Sequence, residues 1–135
     1  MNRVLKANRH SVYSLKYHLV VITKYRKKCL TNDLRVELKK IFTRLLKKKN
    51  GEVLEFGGEE DHIHILFEIP PQIKLSQQVN TLKTVSSRLI NRDHRDYLKK
   101  YYVKSTLWSR SYCLLTTGGA TIETIKRYIE NQGKK

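Results

Sequence analysis

Hydrophobic positions along the chain switch between a period of two and a period near 3.6, and the switches divide it into elements. Residues 1 to 13 carry no such pattern and read as a polar, basic arm. From Ser14 to Lys24, Leu15, Tyr17, Leu19 and Val21 alternate with His18, Val20 and Ile22, a β-branched and aromatic run that predicts a central strand. Thr31 is then placed to cap a helix, with Asp33 in its first turn and Leu34, Leu38, Ile41 and Leu45 at helical spacing. Lys47-Lys48-Lys49 complement the C-terminal end of the helix dipole, and Asn50-Gly51 stop it.

Val53, Leu54 and Phe56 predict a short second strand, and Gly57-Gly58-Glu59-Glu60 a turn into the next. In Asp61-His62-Ile63-His64-Ile65-Leu66-Phe67-Glu68-Ile69 the period-two pattern is cleanest. Ile63, Ile65, Phe67 and Ile69 fall on one face and His62 and His64 on the other. Pro70-Pro71 ends that strand. Leu75, Val79, Leu82, Val85, Leu89 and Ile90 give a second amphipathic helix, with Lys83, Arg88 and Arg92 on its polar side. Residues 94 to 106 read as a connector. Trp108 to Thr117 reads as a fourth strand, with Trp108, Arg110, Tyr112 and Leu114 on a shared face. Gly118-Gly119 then predicts a flexible joint before a short helix over about 120 to 132. That helix carries Ile122, Ile125 and Ile129, and Tyr128 and Gln132 neighbour each other four residues apart.

The order strand, helix, strand, strand, helix, strand predicts an α+β, ferredoxin-like (RRM-like) βαββαβ fold. Both long helices then cover one face of a four-stranded antiparallel sheet, and a C-terminal helix is added. The whole chain, 1 to 135, reads as one domain, with a core over about 14 to 117. On this topology the isoleucines of the third strand face the helices, and His62 and His64 face the uncovered side.

Composition adds a partner. A hydrophobic content of 39% suffices for one core, and no run approaches the roughly 18 to 20 apolar residues of a membrane span. No secretory signal follows Met1 to Lys6, which makes the cytoplasm the expected address. Cys29 and Cys113 lack metal-ligand spacing and read as free thiols. The net charge of +16 points to a polyanion, nucleic acid ahead of an anionic membrane, because no basic helix carries a bulky apolar face. Lys24-Tyr25-Arg26-Lys27-Lys28, a cation cluster around a ring, suits a nucleic-acid backbone and a stacked base, although a solvated loop has the same composition. Lys24, Arg26 and Arg110 are charge-based candidates for such contacts.

The candidate chemistry begins with the two histidines, whose roots on a strand stand about 6 to 7 Å apart and can share a metal ion. Two ligands do not make a site, and such a pair alone is more often two solvated histidines on an open sheet face. Asp61-His62-Ile63-His64 nevertheless resembles the histidine, hydrophobic, histidine motif of the HUH nucleases. Tyr128-Ile129-Glu130-Asn131-Gln132 is similar to the tyrosine and glutamine helix of their single-tyrosine transposase branch, the enzymes of small insertion sequences that move as single-stranded DNA. Thr23-Lys24-Tyr25-Arg26, Ser86-Ser87-Arg88 and Leu107-Trp108-Ser109-Arg110-Ser111-Tyr112 extend the resemblance over most of the chain.

The resemblance implies that His62, His64 and Gln132 coordinate Mg²⁺ or Mn²⁺ and that Tyr128 attacks the scissile phosphate. A 5′-phosphotyrosine and a free 3′-OH would result. It implies as partners single-stranded DNA with hairpins near the element ends and a second copy of the chain, in a homodimer with shared active sites. Three rivals stay open on the residues alone. One is a domesticated or repeat-associated relative of the same chemistry. Another is a non-catalytic nucleic-acid-binding module, against which the lack of a Gly-Phe-rich aromatic strand motif counts. The third is a metallohydrolase in which Asp61 or Glu60 activates water.

Overall fold

The structure, a computed structural model, describes residues 6–7, 12–117 and 122–132. Within them the chain forms β1 (Lys6–Ala7), β2 (Val12–Tyr13), β3 (Lys16–Thr23), α1 (Asn32–Lys47), β4 (Glu52–Glu59), β5 (His62–Glu68), α2 (Leu75–Leu98), β6 (Trp108–Thr116) and α3 (Ile122–Gln132). One 3-10 turn, Lys24–Arg26, follows β3. Strands β4, β5, β3 and β6 lie side by side in that order, each pair antiparallel. That is the ferredoxin-like sheet the element order predicts.

The core lies where the alternation of β5 places it. Leu19 and Val21 of β3 and Ile63, Ile65 and Phe67 of β5 are buried with Leu34, Leu38 and Phe42 of α1 and Val79, Leu82 and Ile90 of α2. Each such side chain contributes about 1.5 to 3 kcal/mol on leaving water. A one-residue slip of β5 would turn all three of its apolar side chains outward, so this register is strongly specified. On the same face, Trp108 donates from Nε1 to Ser86 Oγ on α2 at 2.9 Å, which ties β6 to the helix layer.

Local signals act as their chemistry dictates, with four departures. Thr31 has extended geometry and its hydroxyl accepts from Leu34 N at 3.2 Å, capping α1. At the other end Asn50, with φ of 60°, takes the left-handed position. Gly51 is needed for proximity instead, since a Cβ there would stand 2.8 Å from the carbonyl of Glu68. The first departure is the N-terminal arm, where Lys6 pairs with Tyr13 and Ala7 with Val12 in a small separate sheet.

The second concerns Gly57-Gly58, expected as a turn but lying inside β4. The tight connection is Glu60-Asp61, with Glu59 opposite His62 and a register shift between Val53 and Glu55. Third, α2 continues through the expected connector to Leu98, with a kink at His94 (φ −130°, ψ 28°). Its polar residues bond inward there: His94 Nε2 lies 2.6 Å from Glu37 Oε2, and Arg95 donates to the carbonyls of Tyr102, Val103 and Lys104. Fourth, β6 is irregular. Between the pairs Val21–Tyr112 and Thr23–Trp108, the three residues Ser109 to Ser111 stand against the single Ile22. The joint at Gly118-Gly119 lies outside the described residues. Cys29 and Cys113 are free thiols, and among the described residues no helix is long and apolar enough to cross a membrane.

Candidate active site

The sheet face turned away from α1 and α2 carries His62 and His64 of β5, His18, Val20 and Ile22 of β3, and Ser111 and Cys113 of β6. Register sets this row: His62 stands opposite Ile22, and His64 opposite Val20, whose other neighbour is Cys113. The two histidines therefore share a face as their spacing predicts.

Each histidine is held by a different partner. Nδ1 of His62 lies 2.9 Å from Oδ1 of Asp61, while Oδ2 of Asp61 accepts from Nε of Arg26 at 2.7 Å. Burial would raise the Asp61 carboxyl, but the bonds from His62 and Arg26 and the Arg26 charge outweigh it and hold the group below the usual carboxylate range. A carboxylate on Nδ1 leaves Nε2 of His62 as the nitrogen with a lone pair to offer. His64 instead stacks on His18, with ring centres 5.2 Å apart and Nε2 3.0 Å from His18 Nδ1. Burial first, and His18 second, push the His64 imidazole down, favouring the neutral form that can ligate a cation.

Helix α3 brings Tyr128 and Gln132 to the same face but over β6. Ser111 Oγ donates to Gln132 Oε1 at 2.9 Å, and Arg26 Nη1 reaches the carbonyl of Glu130 at 3.5 Å. The Tyr128 hydroxyl is buried and makes no hydrogen bond of acceptable geometry. Burial pushes its phenol up, and the nearby Ser111 hydroxyl only partly offsets this. A cleft of about 310 Å³ opens beside Gln132, lined also by Tyr25, Arg26, Ser109 and Ser111. From Ser111 to His62 the sheet runs through Ile22, two strand spacings or about 10 Å. Within one chain, then, His62 and His64 form one group and Tyr128 and Gln132 another, facing each other across β3.

Of the charge-based candidates, Arg26 enters the site through Asp61, and Lys24 stands over the Tyr25 ring at 5.4 Å. Arg110 is exposed on the helix side of β6, where its carbonyl accepts from Lys83 Nζ. His18 and Ser111 were not singled out from sequence, because their roles depend on register and on the irregularity of β6. Asp61 is legible in the sequence through its adjacency to His62, although its role as the partner of Nδ1 is not.

Two imidazoles and an amide oxygen form a donor set suited to a divalent ion, and the carboxylate behind His62 orients that ring as metal-bound histidines require. The donor types therefore fit the ion the resemblance implies, although within one chain Gln132 stands across β3 from the two histidines. Glu59, Asp61 and His62 make a second cluster with ligand atoms within 4.8 Å of one another, although both Asp61 oxygens are already engaged.

The chain is 33% identical over 131 residues to the ISDra2 transposase TnpA of Deinococcus radiodurans, covering 97% of this chain and 93% of that one. It is 35% identical over 127 residues to the transposase for insertion sequence element IS200 of Salmonella typhimurium, covering 94% and 82%. A crystal structure of a Deinococcus radiodurans protein assigned as a transposase superposes with a TM-score of 0.84 at 34% identity, covering 94% of this chain and 97% of that one. A REP-associated tyrosine transposase bound to a REP hairpin shares the fold, with a TM-score of 0.52 at 9% identity over 92% and 67% of the two chains. The family described as "Transposase IS200 like" matches residues 11–132, and the chain belongs to it.

Proposed function

We propose that this transposase cleaves and rejoins single-stranded DNA at the ends of an insertion sequence, using Tyr128 as nucleophile and a divalent ion held by His62, His64 and Gln132. The observation that carries the reading is the Tyr128 hydroxyl, buried without a bond on the helix that also carries Gln132, over the sheet face that presents the histidine pair. A buried, unbonded phenol costs stability, so its presence is better explained by a partner that arrives with substrate.

Tyr128 Oη would attack the scissile phosphorus and displace the 3′ oxygen, giving a 5′-phosphotyrosine and a free 3′-OH. Burial pushes the Tyr128 phenol further up, so it meets the phosphate protonated and must give up that proton as it attacks. Attack by another 3′-OH on the phosphotyrosine would reseal the strand and release Tyr128, with no need for ATP. His62, His64 and Gln132 would hold a divalent ion, which when bound would supply the charge stabilisation that a weak phenol nucleophile requires. Asp61 fixes His62, and Arg26 spans Asp61 and the Glu130 carbonyl, so one side chain touches both groups of the site.

The substrate we assign is single-stranded DNA with hairpins near the element ends, supported by the +16 charge and by the hairpin bound to the similar REP-associated transposase. We assign the active form to a homodimer with shared active sites, one domain of residues 1 to 135 per subunit. The separation of Tyr128 from the histidines across β3 supports this, since a partner's helix could bridge it.

The test is incubation with Mn²⁺ and labelled single-stranded DNA bearing a terminal hairpin. A denaturation-resistant protein–DNA adduct that disappears in Tyr128→Phe is expected. An adduct of equal yield in Tyr128→Phe would refute the mechanism, and cleavage without any adduct would point to a hydrolase using the cluster at Glu59, Asp61 and His62.

A further inference from the structure

The turn after β3 is held in a conformation that its residues do not prefer. Tyr25 and Arg26 have φ of 58° and 54°, two successive left-handed residues with side chains, each costing on the order of 1 kcal/mol relative to glycine or asparagine. Hydrogen bonds on either side hold the turn in this conformation. Thr23 Oγ1 donates to the carbonyl of Lys27 at 2.7 Å, Lys24 N to that of Leu107 at 2.8 Å, and Tyr102 OH to that of Lys24 at 2.7 Å. Arg26 is anchored on Asp61 at 2.7 Å.

None of these bonds uses the Tyr25 side chain, which stands 76% exposed. A large apolar ring in a strained position, turned to water, contributes nothing to the core. It does stand where two clefts meet. On one side is the 310 Å³ cleft with Gln132 and Ser111. On the other is a cleft of about 500 Å³ lined by Lys24, Lys27, Tyr101, Val103 and Lys104. Lys24 Nζ already lies 5.4 Å from the ring centre, so a base on the open side of the ring would meet a cation beside it.

We infer that Tyr25 is a stacking platform for one base of the bound single strand, next to the scissile phosphate, and that the strand continues into the Lys24, Lys27 and Lys104 cleft through its phosphates. Stacking accepts any base, so this subsite grips the strand without reading its sequence. The strained turn aims the ring, and the lysines take the charge. The inference rests on the reading of the chain as acting on single-stranded DNA, and it can fail separately from the Tyr128 chemistry.

Binding is read in a Tyr128→Phe background without divalent ion, using a labelled short oligothymidylate and an abasic strand of equal length. With Tyr25 intact, the strand with bases should bind roughly tenfold tighter than the abasic one, within the range for one stacked base. Tyr25→Phe keeps that preference. Tyr25→Asn, and Tyr25→Gly as a second variant, erase it while leaving the salt dependence unchanged, because both residues accept the left-handed geometry and no phosphate contact is lost. Lys24→Gln and Lys104→Gln instead make the salt dependence shallower. A base preference that survives in the Asn and Gly variants, or is lost in Tyr25→Phe, overturns the inference. If Tyr25→Asn loses the preference while the Tyr128-bearing protein forms no adduct with a hairpin strand, the platform stands and the cleavage mechanism falls. If adducts form and the preference is indifferent to Tyr25, the reverse holds.

Discussion

Asp61 Oδ1 lies 2.9 Å from His62 Nδ1, and this contact makes the hairpin turn part of the candidate site. The carboxylate selects the tautomer whose Nε2 can ligate, and its second oxygen keeps Arg26 at 2.7 Å, in reach of α3. Asp61→Asn keeps the shape but loses the charge that holds both partners. The expected result is a 10- to 100-fold higher Mn²⁺ requirement for adduct formation, as for other carboxylates behind metal-bound histidines. Mn²⁺ titration of adduct yield measures it. An unchanged requirement would show that His62 is oriented by something else.

His18 presents the opposite case. Its Nδ1 stands 3.0 Å from His64 Nε2, so ligation through that nitrogen must break a partly buried hydrogen bond worth about 1 kcal/mol. His18→Leu removes the competitor and should tighten Mn²⁺ binding roughly fivefold by calorimetry, since 1.4 kcal/mol is a factor of ten. Weaker binding in His18→Leu would mean that the stacked ring orients His64 and that Nδ1 is the ligating atom.

These two partners show which parts of the site are legible without coordinates. Ile63, Ile65 and Phe67 disclose the buried face of β5, and hence the open face of His62 and His64, because burying one side of a strand forces strict alternation. Thr31 discloses the start of α1 for an equally local reason, an oxygen within reach of an unpaired N–H. His18 is different. It meets His64 only because β3 pairs with β5 in the register that sets Val20 opposite His64, a long-range fact. Ser111 joins Gln132 only because β6 spends three residues against Ile22. The run that starts at His94 resembles a connector in composition, yet His94 bonds to α1 and Arg95 to the carbonyl of Tyr102, and the helix continues to Leu98.

The glycine pair of β4 yields a prediction in which two adjacent residues differ. A Cβ on Gly58 would stand 2.4 Å from the carbonyl of His62 and 2.9 Å from Ile63 Cδ1, whereas one on Gly57 meets nothing within 4 Å. The first clash is with backbone and cannot be relieved by a rotamer. Gly58→Ala should therefore cost on the order of 2 to 4 kcal/mol, in the range of mutations that break a backbone fit, and should displace His62. Gly57→Ala should change stability by less than about 0.5 kcal/mol. Urea denaturation of both variants settles the comparison, and equal effects would show that the hairpin tolerates a wider approach.

Tyr128 is the residue for which stability and activity should move in opposite directions. Its hydroxyl is buried with no hydrogen bond, and the ring lies over β6 beside Cys113 and Ser111. Removing only the oxygen relieves an unsatisfied polar group while leaving the ring's packing intact, so Tyr128→Phe should be as stable as the parent or more stable by up to about 1 kcal/mol. The same change should abolish the covalent adduct. A residue kept for packing would show the same stability without loss of the adduct, and one kept for a structural hydrogen bond would lose stability. Thermal melts of metal-free protein, read beside the adduct assay, separate these cases. A clear loss of stability in Tyr128→Phe would mean that the hydroxyl has a resting partner and is not held in reserve for the phosphate.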